Sequence, residues 1–305
     1  MRKIYLFLMM SAYVIMFSSC SNETLDSKTQ SERVKEETEL VKMQQDIVAL
    51  NTQSFAPRTE TRGFWRFFKK CVFTLLADAV GAGGGPLASA TCSGVVGGVL
   101  FTETVDVNNS FRATTRASKP DLTNKEDIVF DNIIPSDILS LQDNQYLVKA
   151  DSLGYYHNKT LYKIFNDPVQ IAEIRDLPLN KLIDKFENAA KTEFPVTLSE
   201  GYQYDKAGMT NFLEQYVTIM NDVESLDELN TRTQNTGFIK SDVQNVITEI
   251  CNGLINIDPE SDDNIYFTKV AEIIQNSNVS DETKQQLTNA LVIANASNHL
   301  WAKDN

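Results

Sequence analysis

The chain has 305 residues, 42% of them apolar and 23% charged, with 28 Lys and Arg against 41 Asp and Glu. That supplies a packed core for one large domain or two modest ones. The formal charge of −13 argues against a nucleic-acid binder, which needs a basic face to displace counterions. Four cysteines and two histidines, without C-x-x-C or H-E-x-x-H spacing, define no zinc site. No metal or cofactor is expected.

Arg2 and Lys3 precede an uncharged, mostly apolar run of 14 residues, Ile4 to Phe17. It is too short to span a bilayer core of about 30 Å but suits a signal-peptide core. Ser18-Ser19-Cys20 resembles a bacterial lipobox, with Phe17 where Leu is usual. The resemblance implies that residues 1–19 are removed and that Cys20 is lipidated. Ser21, Glu23 and Asp26 then resemble an outer-membrane or surface signal. Losing Arg2 and Lys3 deepens the charge from −13 to −15, so acyl chains, not charge, would hold the protein at a membrane.

Ser21 to Ser31 reads as a polar tether, and Glu32 to Leu50 as a helix of middling amphipathicity ended before Pro57. Residues 20–62 are thus tether and helix. The segment 63–104 is different. It opens on Gly63-Phe-Trp65-Arg-Phe-Phe-Lys69-Lys70-Cys71, and from Val72 to Phe101 its single charge is Asp78. Gly81, Gly85, Ser89, Ser93 and Gly97 recur every four residues, a glycine-zipper spacing that lets helices approach closely. Trp65, Lys69 and Lys70 resemble an interfacial anchor.

Three readings of residues 72–101 compete: a membrane-inserting helix or hairpin, a buried hairpin within the protein, and a mobile linker. Gly83-Gly84-Gly85-Pro86 would break the segment into two short helices. Cleavage at Arg62, Arg112 or Arg116 would release a peptide similar to secreted membrane-active bacteriocins. A Cys71–Cys92 disulfide across the hairpin is a further expectation in an oxidising envelope.

Residues 105–127 read as a linker, rich in Thr, Asn, Ser, Arg and Lys. Residues 128–305 carry successive 3.6-period segments and form the helical domain. Asp151 or Ser152 caps a helix with Leu153, His157, Leu161, Ile164 and Phe165 inward; the same Asp151-Ser152-Leu153 resembles an O-glycosylation acceptor. Leu179 to Phe194 follows, with Pro195 as its stop. Asp205 to Asp222 is helical, Ser241 caps a run through Ile255, and Ser261 begins another on Ile265, Val270, Ile273 and Ile274. Ser280, with Asp281 and Glu282 behind it, starts the last. Asp258 to Lys269 fails as a calcium loop, with Asp263 and Lys269 where Gly and Glu are needed. The fold class is all-α: signal and tether, Gly-rich apolar helical hairpin, then a bundle of about six or seven helices.

Cys251 and His157 both fall on apolar stripes and read as core residues. A catalytic His157 would need a nucleophile or carboxylate brought to it from elsewhere. Gly154-Tyr-Tyr-His157-Asn158 and Ala294-Asn-Ala-Ser297-Asn-His-Leu-Trp301, together with the Cys20 lipobox and the Gly-rich stretch, resemble uncharacterised gut-bacterial secreted lipoproteins of Bacteroidota type. That resemblance implies a helical fold and an envelope location and adds nothing about chemistry. It singles out Gly154, His157, Asn158, Ser297 and Trp301 for attention. The functional expectation is a non-enzymatic envelope lipoprotein, an interaction or membrane-associated module whose protein partner is unknown. The alternatives are a bacteriocin-like membrane-perturbing effector using residues 63–101 and a hydrolase using His157.

Overall fold

The computed structural model describes residues 27–54, 62–102, 144–150, 152–195, 204–220, 222–223, 225–256 and 263–301. The signal segment, Cys20, Arg112, Arg116, the linker 105–127 and Asp151 lie outside them. The described residues are helical, with no strand among them. The helices are α1 (Ser27–Ser54), α2 (Arg62–Gly83), α3 (Pro86–Thr102), α4 (Gln145–Ala150), α5 (Leu153–Phe165), α6 (Pro168–Arg175) and α7 (Leu179–Glu193). They continue with α8 (Lys206–Met220), α9 (Leu226–Thr233), a 3-10 turn (Gln234–Thr236), α10 (Ser241–Asn256), α11 (Asp263–Asn276) and α12 (Asp281–Trp301). Helix α1 thus begins within the stretch expected as tether, and Ser27 to Ser31 are helical.

The chain divides into two units after Thr38. In the first, Val34 is exposed and the Thr38 hydroxyl donates to the Val34 carbonyl at 2.7 Å. The second, Glu39–Asn305, holds every feature that follows.

Local chemistry sets most boundaries. Asp167 caps α6, its Oδ1 accepting from the Val169 amide at 2.8 Å, with Pro168 in the first turn. Ser280 caps α12 by accepting from the Thr283 amide at 3.3 Å. Ser152 sits at the cap of α5 but its side chain makes no capping bond, so helix entry there does not use the expected hydroxyl. Helix α9 has no counterpart in the periodicity reading. Its signal is a capping box, Ser225 accepting from the Glu228 amide at 3.1 Å.

At the centre lies the glycine-rich hairpin. Helix α2 stops at Gly83, the chain turns through Gly84 and Gly85, and Pro86 opens α3. The turn needs glycine at residue 85, where φ is +99°. It therefore divides the four-residue spacing: Gly81 stays on α2, while Ser89, Ser93 and Gly97 ride on α3. Close approach is real at Gly81, where a Cβ would stand 2.9 Å from the Ser89 Cα. Gly94 and Gly98 face α7 instead, against Phe186 and Leu182.

Protein covers this hairpin. Residues 73–82 are buried throughout, as are nearly all from Gly85 to Gly98. Helix α2 packs on α3, α12, α10 and α8, and α3 packs on α7, α5, α8 and α6. No described helix is long and apolar enough to cross a membrane. Trp65, Lys69, Lys70 and Cys71 belong to α2 by their backbone, and their side chains lie outside what is described.

Candidate functional site

The hairpin's one acid, Asp78, has a fully buried side chain. Around it the fold gathers residues from three other helices. Ser297 of α12 donates its hydroxyl to Asp78 Oδ2. His157 of α5 brings Nε2 to 3.7 Å from the same oxygen. From α3, Ser89 donates to the Asp78 carbonyl at 3.2 Å, and Cys92 and Ser93 lie buried nearby. His157, Asn158, Ser93 and Ser297 are themselves fully buried.

Hydrogen bonding assigns the histidine tautomer. Asn158 Nδ2 donates to the Ala296 carbonyl at 3.0 Å, which leaves Asn158 Oδ1 as the acceptor facing His157 Nδ1 at 2.9 Å. Nδ1 therefore carries the hydrogen, and Nε2 presents a lone pair toward Asp78. His157 Nε2 completes no hydrogen bond of its own.

Burial works against charge throughout this site. Burial drives the Asp78 carboxyl well above the usual carboxylate range, against the opposing pull of the Ser297 and Ser93 hydroxyls. Burial also lowers His157 to about 4, with the Asn158 bond working the other way. Cys92 is raised by burial first and by the Asp78 charge second. Burial thus favours the carboxylic acid, the neutral imidazole and the thiol.

Of the residues picked out in the sequence, His157, Asn158 and Ser297 converge here. Gly154 is buried on the same helix, and the Trp301 side chain lies outside what is described. Asp78, the residue that unites them, stood out in sequence only as a lone acid in an apolar stretch. The geometry is not that of a nucleophile and its base. Ser297 and His157 both address one carboxyl oxygen, whereas activation requires the hydroxyl to donate to the imidazole. The side chains of Asp78, His157 and Ser297 also have no exposure to solvent.

The cysteines are placed equally clearly. Cys92 and Cys251 are free, buried thiols. Cys92 Cβ lies 3.0 Å from where a Gly81 side chain would begin. The Cys71 side chain lies outside what is described, and the expected Cys71–Cys92 bridge falls there with it. Among the described residues, no three His, Cys, Asp or Glu side chains are grouped to hold a metal.

A second feature is open. A groove of about 460 Å³ runs between α1 and α11, floored by Met43, Leu50 and Ile273 and edged by Lys42, Lys269 and Glu272. Its charges are mixed in sign. Comparison with protein-family models, curated proteins and solved structures finds no match, so any functional reading rests on these residues.

Proposed function

We propose that this chain is a lipid-anchored cell-envelope protein, held at the outer membrane or cell surface through Cys20, whose helical unit is a non-enzymatic interaction module. The observation that carries the non-enzymatic part is the sealing of the Asp78, His157 and Ser297 side chains at 0% exposure. The anchor rests on the Ser18-Ser19-Cys20 arrangement behind its apolar run, and likeness to gut-bacterial lipoproteins points the same way. With no described helix able to cross a bilayer, the acyl chains would supply the attachment.

The test is metabolic labelling with palmitate and fractionation of the wild type and Cys20→Ser. Label on the wild type alone, with the serine variant released from membranes, is the expected result. An unlabelled wild type, or a variant that still pellets with membranes, removes the anchor from the proposal. One observation favours a second reading, membrane perturbation by residues 63–101: α3 carries no charged residue along Pro86–Thr102. That activity would require the hairpin to leave the core, and dye release from liposomes by the full chain would report it.

A further inference from the structure

We infer that Asp78 is a proton-held lock for the glycine hairpin: α2 and α3 stay seated while this carboxyl keeps its proton, and the hairpin opens from the bundle when the proton is lost.

The surroundings of Asp78 make the lock. Every packed neighbour of α2 presents a group to it, and none is a cation. Helix α3 offers Cys92, Ser89 and Ser93; α12 offers Ser297. From α8 comes Tyr216 and from α10 Cys251, both raised by burial first and then by Asp78 among other buried groups. Helix α5 supplies His157, whose Nε2 lone pair lies 3.7 Å from Oδ2. An acid can direct its hydrogen toward that lone pair, whereas a carboxylate would oppose it. A carboxylate would be a buried charge favoured only by the Ser297 and Ser93 hydroxyls, an expensive state with no counter-charge.

The direction of the pH response follows from linkage. The seated state keeps a proton on Asp78 that the hydrated open state loses near 3.8, so rising pH favours opening. His157 acts oppositely, because the open state gains a proton between 6.5 and about 4. Between about pH 4 and 6.5 the two effects cancel. Above pH 6.5 only the carboxyl remains, and opening gains up to about tenfold per pH unit.

Hydrogen exchange on the full chain, corrected for intrinsic base catalysis, reads this directly. Protection of amides within residues 73–98 is expected to hold steady from pH 5 to 6.5 and then to fall by up to about tenfold per unit. Constant protection from pH 6.5 to 8.5 overturns the lock without recourse to any variant. Asp78→Asn assigns the slope: its disappearance supports the inference, and an unchanged slope overturns it. Ser297→Ala, which removes a donor that favours the anion, is expected to carry the slope to higher pH, and an unaltered profile would count against Asp78.

Discussion

Gly94 of α3 lies flat against the ring of Phe186 on α7, so close that a Cβ at this position would stand 2.0 Å from the ring's Cδ1. The ring has nowhere to retreat, being fully buried and stacked on Phe165 at 5.7 Å. One turn further along, Gly98 meets the same helix at ordinary contact, 3.5 Å from Leu182 and Phe186. The spacing is the same and the steric demand is not. Gly94→Ala should destabilise by about 1–3 kcal/mol through overpacking, more than the roughly 1 kcal/mol gained in helix propensity. Gly98→Ala should stabilise by up to about 1 kcal/mol. Urea titration of both variants checks the pair, and a common sign would contradict the packing described.

Asn158 joins α5 to α12 through the Ala296 carbonyl and also fixes the His157 ring. Asn158→Ala would strand the buried Nδ1–H of His157, at about 1–3 kcal/mol for a group left unsatisfied, and would delete the second bond to the Ala296 carbonyl, which keeps its helical donor, at about 0.5–1.5 kcal/mol. A fall in melting temperature with loss of near-ultraviolet circular dichroism is expected. Unchanged melting accompanied by a lost cellular phenotype would instead favour a functional role for the Gly154 to Asn158 motif.

Tyr216 ties α8 to the hairpin, its hydroxyl donating to the Phe73 carbonyl at 2.6 Å deep in the core. Tyr216→Phe keeps the ring packing and deletes one bond, so a loss of about 0.5–1.5 kcal/mol is expected. Unfolding midpoints at constant denaturant slope would measure it, and a neutral result would mean that the carbonyl finds another donor.

What was legible in the sequence follows burial geometry. Helices α5, α7 and α10 lie with one face inward, so the apolar stripes Leu153–Phe165, Leu179–Ala190 and Val243–Ile255 appear as periods and are buried as expected, except that Leu179 and Ile255 at their ends are only partly covered. Helix α11 is displaced: Ile265 is exposed, and Tyr266 and Phe267 enter the core instead. Helix α12 hides nearly everything from Leu287 to Asn298, which erases the polar face that marks a period. The all-α class survives such errors because it requires only helices and no strands. The Asp78 cluster was opaque for a different reason. Ser297 and Asp78 stand 219 positions apart, and nothing local to either residue signals the other.

The acid side of the stability profile belongs to other groups. Glu187 is buried at 3% exposure, yet it pairs with Lys191 and, at 2.6 Å, with Lys206, which also reaches Asp184. Burial alone would raise its pKa, but the two lysines outweigh that and hold the carboxyl below the ordinary glutamate value of 4.5. A depressed folded-state value contributes stability above the unfolded value, and that stability is lost as pH falls through the folded one. Thermal melting should therefore decline below about pH 4.5, helped by Glu193, which is held down in the same way by Lys163 and Lys159. Glu187→Gln should lower the melting temperature at pH 7 and make the acid decline shallower, because an amide loses no charge on acidification. An equally steep decline in the variant would transfer that limb to other carboxylates.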